Sequence, residues 1–290
     1  LLGVLKYPVA FSQARNPALA PKLFSGPTTL DIIDDQASKP PKCYLDCERD
    51  VVDWIINPLS EAEREEFQAC DPKNGKHHVP RHKSLDCSIM DAADDIAYGV
   101  HDLEDAIALG LIDKEALAAA LQDKCPSFLD ALKEKYPDES ANDVFTHMVE
   151  GLFANSGTRK RFISRLVHHF ITAAEYEEKE VFSEPLIRYR VVLQQPQRDF
   201  LKALKDLVAG EVILSPSVQH LEFKGQTMVV SVFEALQADP KRLLPRDAYA
   251  KFTAANDDPR IICDHVAGMT DTYLLRTYER LFSPRMGSVF

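Results

Sequence analysis

The sequence lacks an apolar segment long enough to cross a bilayer. No continuous apolar run approaches the roughly 20 residues that a transmembrane helix requires. It also lacks an excess of positive charge, because 34 Lys and Arg stand against 45 Asp and Glu, a net charge of −11. We therefore expect no membrane association and no general nucleic-acid binding, since both require a positive surface field. A polyanionic substrate would have to meet a local cationic patch or a bound metal.

The cysteines show no metal-binding pattern. None of the six forms a CxxC pair, the spacing typical of zinc sites. Reduced thiols in the cytoplasm are the simplest interpretation. The first residues contain neither an initiator methionine nor a signal-peptide pattern. They are typical of the interior of a longer chain, and we expect an upstream portion of the parent protein.

Helical periodicity dominates what is present, in a chain of 290 residues that is 45% hydrophobic. The pattern predicts a helix end at 1–7, an exposed loop at 16–42 and a capping-box helix from Ser60. Longer helices are predicted at 84–109 and at 142–177 with a break near 155–157, and further ones at 197–209, 216–237, 245–254 and 259–282. Only 181–193 has the composition of a short strand or hairpin. The fold class is all-α with at most one short β-hairpin.

The helix at 84–109 has two contrasting faces. One face is apolar and predicted to be core, formed by Ile89, Ala93, Ile96, Val100, Leu103 and Ile107. The opposite face collects Asp91, Asp94, Asp95, Tyr98, Asp102 and Asp105. From Ser84 to Asp113 there are eight acidic residues and no Lys or Arg, so nothing on the helix offsets their repulsion. A solvated surface is one interpretation, but short carboxylates also suit a metal ion.

Three segments resemble one known family. The segment DAADDIAY at 91–98, preceded by Arg81-His82 and followed by DLED at 102–105, resembles a block of the HD-domain deoxyguanosine triphosphate triphosphohydrolases. LKYP at 5–8 and DHVAGMTD at 264–271 are similar to two further blocks of that family, in the same order. The resemblance implies a multi-helix HD-domain-like bundle. It also implies that 1–110 is the end of the catalytic core and that 111–290 is a helical region packing on it.

The resemblance implies a reaction and a set of site residues. The family cleaves deoxynucleoside triphosphates to deoxynucleoside and inorganic triphosphate with a divalent metal ion such as Mg²⁺ or Mn²⁺. Asp94 would be a metal ligand. Tyr98 and Asp102 would contact the sugar and phosphates, and Lys6 and Tyr7 the triphosphate. The family also implies a homo-oligomer and an activating nucleotide.

The match is partial. The family's upstream His and His-Asp pair, and the residues that activate water, have no counterpart in these 290 residues. We therefore expect this chain to be inactive by itself, with its catalytic residues unassigned. Alternative functions are an HD-superfamily phosphomonoesterase or phosphodiesterase, and a regulatory or oligomerisation module that binds nucleotide without cleaving it.

The densest basic run, at 159–169, is a further candidate site. Arg161, Arg165 and His168 share a helical face there. The planar guanidinium of arginine suits phosphate oxygens, so this face could bind the triphosphate tail or a regulatory nucleotide. A solvated or acid-paired face is the alternative. We carry Arg161 forward as a predicted substrate-binding residue.

Overall fold

A computed structural model describes residues 1–24, 26, 33–138 and 140–284. Part of the predicted loop at 16–42, namely residues 25 and 27–32, lies outside the described residues. Backbone contacts divide the chain into two compact units, Leu1–Ile213 and Leu214–Phe290. Each unit is described by itself.

The first unit is mostly helical. Its helices are α1 (Phe11–Ala14), α2 (Arg49–Ile56), α3 (Glu61–Phe67), α4 (Leu85–Ala108), α5 (Lys114–Leu121), α6 (Pro126–Lys133), α7 (Ala141–Phe153), α8 (Ser156–Thr172), α9 (Pro185–Arg188) and α10 (Gln195–Val208). A short 3₁₀ turn at Asp46–Glu48 precedes α2, and a π-helical turn at Ala209–Ile213 follows α10. Its strands are β1 (Cys70–Asp71), β2 (Val79–Pro80), β3 (Ala174–Glu178) and β4 (Tyr189–Leu193).

Helix α4 is the central element of the first unit, and its ends follow the sequence. The Ser84 hydroxyl accepts a hydrogen bond from the Cys87 backbone N–H, which caps the first turn. The helix ends before Gly110, whose φ of +69° is accessible to glycine at little cost. Helices α8 and α10 and strand β4 pack against it. The predicted long helix with an end at Gly110 is confirmed.

Two hydrophobic cores support this unit. The larger core surrounds the carboxy-terminal half of α4 and includes the fully buried rings of Phe128, Phe170 and Phe200. The smaller core joins the amino-terminal residues to α2 and α3 through Leu5, Ala10, Tyr44, Val52, Ile56, Leu59, Phe67, Phe182 and Ile187. The smaller core places the amino-terminal segment beside the start of α4, where the Ser84 hydroxyl donates a hydrogen bond to the Leu2 carbonyl.

The second unit contains α11 (Pro216–Ala238), α12 (Pro240–Leu243), α13 (Arg246–Ala254), α14 (Arg260–Ala267) and α15 (Asp271–Phe282). Its core includes Val232, Leu236 and Ile262. The sequence predicted one helix over 259–282, but the structure has two. The break falls at Gly268, and the Thr270 hydroxyl caps the first turn of α15 by accepting from the Tyr273 N–H.

The all-α class is confirmed, and the described residues contain two short antiparallel sheets where the sequence predicted at most one hairpin. Strands β1 and β2 pair over two residues each, too few to leave a sequence pattern. Strands β3 and β4 pair antiparallel, and β3 occupies residues that the sequence assigned to the end of a helix. A cross-strand ion pair between Arg190 and Glu177 stabilises this register, and Arg188, the last residue of α9, pairs with Glu178 at the end of β3. Ion pairs between two strands leave no periodic pattern in the sequence, so β3 could not be predicted from them.

Two other predictions about local structure were wrong. Residues 1–7 form turns and no helix, with bonds such as Val4 N–H to the Leu1 carbonyl, because so short a segment does not overcome the cost of helix nucleation. Ile89 and Ala93, predicted to be core, are exposed. The core prediction is confirmed for Ile96, Val100, Leu103 and Ile107, where α8 and α10 provide cover.

The division into compact units does not test the predicted regions 1–110 and 111–290. Those regions were defined by their expected roles in the family, whereas the units are defined by backbone contacts. The family-based division stays a prediction, although α4 and α10, on either side of residue 110, pack within one unit. In the part of the chain that the structure describes, no helix is both long and apolar enough to span a membrane.

Candidate functional site

Asp91 lies at the centre of a cluster of charges at the start of α4. Its Oδ1 is 3.1 Å from Lys6 Nζ, and its Oδ2 accepts a short hydrogen bond from Lys83 Nζ. Burial acts to raise the pKa of Asp91, but the hydrogen bonds from Lys83 and Lys6 together lower it below its ordinary value. The hydrogen bond between Lys6 and Asp91 also raises the pKa of Lys6. The acidic face of α4 thus receives the cations that the helix itself lacks.

The predicted phosphate ligands Lys6 and Tyr7 lie beside this cluster. Three ammonium groups surround the half-buried Tyr7 ring, with centroid distances of 6.0 Å for Lys6, 5.6 Å for Lys42 and 5.7 Å for Lys83. Such distances permit cation–π attraction. Together they concentrate positive charge around the Tyr7 ring, an arrangement suited to a phosphate chain.

Asp94, the predicted metal ligand, is exposed. Its negative charge contributes to the raised pKa of Lys6, which places it in the electrostatic neighbourhood of the amino-terminal residues. No hydrogen bond or ion pair of its carboxylate is present among the described residues. Its side chain is therefore available to a ligand from outside the chain.

Tyr98 and Asp102 continue the same face of α4. Both are half-buried, one and two turns beyond Asp94. Lys205 from α10 lies 5.4 Å from the Tyr98 ring centroid and also pairs with Asp95. The structure therefore adds to this predicted face a lysine that lies far away in the sequence.

The basic run at 159–169 has mixed roles. Arg165 is used structurally, because its guanidinium lies 5.1 Å from the Phe162 ring and donates to the Tyr136 hydroxyl at 3.2 Å. Arg159 donates to the Leu152 carbonyl at the end of α7. Arg161 is exposed and donates to the Thr158 hydroxyl at 3.2 Å. No described contact joins Arg161 to the α4 face, and its substrate role stays a prediction.

The described residues do not form a complete metal site. Within 1–24, 26, 33–138 and 140–284, no three His, Cys, Asp or Glu side chains cluster so as to hold an ion. Asp94 supplies one carboxylate, whereas Mg²⁺ or Mn²⁺ requires several oxygen or nitrogen ligands.

A basic cleft of about 650 Å³ adjoins the cluster around Asp91. It lies between the start of α4, strand β4 and helix α10. Lys83 and Asp91 line it, whereas Lys6 and Tyr7 line a different cavity with Tyr44 and Val52. Asp91 therefore lines the basic cleft and also contacts Lys6, which lines the other cavity.

Comparison with known proteins identifies the relatives of this chain. A family model described as a phosphohydrolase-associated domain matches residues 191–280. The chain is 39% identical over 293 aligned residues to the deoxyguanosinetriphosphate triphosphohydrolase-like protein 2 of Deinococcus radiodurans, covering all of this chain and 63% of that protein. The chain is homologous to the deoxyguanosinetriphosphate triphosphohydrolase-like proteins. The family resemblance predicted from the sequence is thereby confirmed.

Other relatives in this family give the same result. The triphosphohydrolase-like proteins of Shewanella woodyi and Shewanella baltica are 35% and 36% identical to this chain over 295 and 309 aligned residues. The first covers all of this chain and the second 99%, and the chain spans 64% of each protein. The chain thus spans a little under two thirds of the length of these relatives.

The segment at 264–271, the last of the three that carry the family resemblance, begins in α14. Its Asp264 pairs with Arg260, one turn earlier on the same helix.

Sequence reasoning missed several residues of this site. Lys42, Lys83 and Lys205 approach the predicted tyrosines from three separate segments. Lys83 could have been considered, since it follows the Arg81-His82 pair that belongs to the resemblance. Lys42 and Lys205 could not, because each sits in a segment whose position relative to α4 is decided by packing.

Proposed function

We propose that the whole protein hydrolyses deoxynucleoside triphosphates to deoxynucleoside and inorganic triphosphate in a metal-dependent reaction. Asp94 would be one ligand of a divalent metal, and the remaining ligands would come from residues beyond these 290. The observation that supports the proposal most directly is the Lys6–Asp91 ion pair, which joins the amino-terminal Lys-Tyr pair to the acidic face of α4. Two of the three family blocks therefore meet at one place.

The residues of this chain would bind and orient the substrate. Lys6 and the Tyr7 hydroxyl would donate charge-assisted and neutral hydrogen bonds to the triphosphate, assisted by the positive charge of Lys42 and Lys83. Tyr98 would contact the sugar, and the Asp102 carboxylate would accept from the 3′ hydroxyl. Half-burial of Tyr98 and Asp102 favours such contacts, since partial exclusion of water strengthens each hydrogen bond.

The reaction itself is a displacement at phosphorus. Water adds to the α-phosphorus, the bond from that phosphorus to the 5′ oxygen breaks, and a proton passes to the 5′ oxygen of the departing nucleoside. Cations around the phosphate chain stabilise the charge that develops in the transition state. Positioning of the triphosphate next to Asp94 is the contribution that Lys6 and Tyr7 would make.

The test is an assay of the whole protein with dGTP and the other deoxynucleoside triphosphates in Mg²⁺ or Mn²⁺. Release of deoxynucleoside and triphosphate in equal amounts is expected, with little activity on nucleoside monophosphates or cyclic nucleotides. Preferential cleavage of a monophosphate or cyclic nucleotide would favour the phosphomonoesterase or phosphodiesterase. Binding of dGTP with no turnover would favour the regulatory module.

A matched pair of variants makes this assay specific. Asp94→Asn removes the proposed metal ligand, whereas Asp130→Asn removes an exposed aspartate on α6. Only the first variant should lose activity. The 290-residue chain alone should release no triphosphate, and robust metal-dependent turnover by it would contradict the proposed ligand set.

The cellular setting is proposed on the same basis. We expect a cytoplasmic homo-oligomer whose activity responds to an activating deoxynucleotide, with Arg161 as a contact to a phosphate tail. Light scattering of the whole protein with and without dGTP or dATP measures the assembly. An Arg161→Gln variant with unchanged substrate and activator affinity would exclude that arginine.

A further inference from the structure

The cleft between α4, β4 and α10 has the size of a small-molecule site. Its volume of about 650 Å³ lies within the range of roughly 300–1,000 Å³ that is common for ligand pockets. Residues of three elements that pack together line it, so the cleft is part of the packed first unit.

The charge of the cleft is opposite to that of the protein. Seven Lys or Arg side chains line it against three aspartates, in a chain whose net charge is −11. A local positive lining within an acidic protein concentrates the field on one small region. The ligand that such a lining selects is an anion.

Helix α10 arranges part of this charge in a line. Arg198, Lys202 and Lys205 are spaced by four and three residues and therefore share one face of the helix, and all three line the cleft. From the first to the last the helix rises by about 10 Å. Cations spread over that length favour a chain of phosphates over a single phosphate ion, because each side chain can then contact a different phosphate group.

Two cations of the cleft are not held in an ion pair among the described residues. Among the described residues, Lys179 and Arg198 form no ion pair. Lys179 donates to the Lys83 carbonyl at 3.2 Å, and Arg198 donates to the Gln195 side-chain oxygen at 3.0 Å. Burial and, less strongly, the charge of Arg190 lower the pKa of Lys179, against a smaller opposing effect of Glu177. A bound anion would stabilise the charged form of this lysine.

The other five cations of the cleft are held in ion pairs, among them Arg81 with Glu66 and Asp71, and Arg190 with Glu177. Lys83 contacts Asp91, Lys205 contacts Asp95 and Lys202 contacts Asp206. The Lys202 and Asp206 side chains are 70% and 63% exposed. An exposed pair of this kind contributes little to stability, so Lys202 can turn to a ligand that enters the cleft.

We propose that this cleft binds an oligophosphate, a chain of two or more phosphates that is either free or the tail of a nucleotide. Lys179 and Arg198 are its primary contacts, and Lys202 and Lys205 extend the site along α10. The site is distinct from the cavity of Lys6 and Tyr7. It requires no hydrolysis, so a protein that binds inorganic triphosphate without cleaving dGTP would fail only the proposed function.

The test is calorimetric titration of the whole protein with inorganic triphosphate in metal-free buffer. We expect saturable binding at least tenfold tighter than that of orthophosphate. Lys179→Gln with Arg198→Gln should weaken it by tenfold or more, and Asp206→Asn should strengthen it because Lys202 is released. The matched control Lys133→Gln with Arg246→Gln, which removes the same charges at exposed positions elsewhere, should leave the affinity within twofold of wild type.

Further measurements distinguish a nucleotide tail from a free phosphate chain, and a misfolded variant from an incorrect proposal. A nucleoside triphosphate that binds much more tightly than triphosphate identifies a nucleotide tail as the ligand, and equal affinity identifies the free chain. If the double variant does not fold, Lys202→Gln alone, at an exposed side chain, should still weaken binding by threefold or more. Equal binding of orthophosphate, the same loss in the control, or displacement of triphosphate by a short oligonucleotide of higher affinity would overturn the proposal.

Discussion

Lys6 and Asp91 form an ion pair of 3.1 Å that joins the amino-terminal segment to helix α4. The other carboxylate oxygen of Asp91 binds Lys83, so one half-buried aspartate holds two lysines. Both lysines also lie near the Tyr7 ring. Asp91 therefore positions the cations that the proposed site uses, although it is not itself a proposed ligand of metal or substrate.

Asp91→Asn should lower kcat/KM for a deoxynucleoside triphosphate in the whole protein by about 10- to 100-fold. Hydrogen bonds to charged groups typically contribute about 1.5–3 kcal/mol, and without the negative charge Lys6 and Lys83 repel each other. Steady-state kinetics measures the change, with Asp130→Asn as the control. An unchanged kcat/KM would show that the two lysines keep their positions unaided.

Asp94→Asn should separate activity from stability. The side chain is exposed and forms no described hydrogen bond or ion pair, so the free energy of unfolding should change by less than about 0.5 kcal/mol. Hydrolysis should fall by roughly 100-fold or more, since even residues that only support a metal ligand commonly contribute 10- to 100-fold. Denaturant unfolding and the dGTP assay are the two measurements. A large loss of stability with retained activity would argue for a purely structural aspartate.

Glu63 should contribute to stability against acid. Its Oε1 accepts from the Ser183 N–H at 2.8 Å, the Ser183 hydroxyl at 2.7 Å and the Glu184 N–H at 3.0 Å, and its Oε2 accepts from Ser60. The Glu184 and Ser183 bonds are the main causes that lower the pKa of Glu63 to about 2. Because the folded pKa lies below the unfolded value, the native state binds fewer protons and this stabilisation is present above the unfolded pKa.

The stabilisation from Glu63 should therefore be lost as the pH falls from about 4.5 towards about 2. Glu63→Gln should lower the free energy of unfolding at pH 7 by about 1–3 kcal/mol. The difference between wild type and variant should shrink across that window, as measured by urea unfolding at several pH values. A difference that stays constant with pH would mean that the ionised carboxylate has no special role.

Gly151 should not tolerate a side chain. A Cβ at this position of α7 would overlap with the buried ring of Phe162 on α8. Gly151→Ala should therefore destabilise the protein by about 1–3 kcal/mol through overpacking, despite the better helix propensity of alanine. Gly225→Ala on α11 is the control, because nothing lies within 4 Å of its Cβ. The free energy of unfolding of this control variant should be unchanged or higher by up to about 1 kcal/mol, as measured by thermal unfolding.

The sequence by itself determined the helical architecture. Periodic apolar positions and capping residues act within one or two turns, so the cap at Ser84, the end at Gly110 and the break between α7 and α8 were predictable. The capping box of Ser60 and Glu63 is confirmed for the same reason. The acidic face of α4 also followed from spacing alone, and the family followed from three short segments.

Only the tertiary structure decided which cations meet that face. Lys83 and Lys205 reach Asp91 and Asp95 through a loop and a distant helix. The register of β3 against β4 places Lys179 and Arg190 in the cleft. A local pattern holds no information about such contacts, because they depend on how whole elements pack. For the same reason Ile89 is exposed although its position on the apolar stripe predicted burial, since a stripe is buried only where another element covers it.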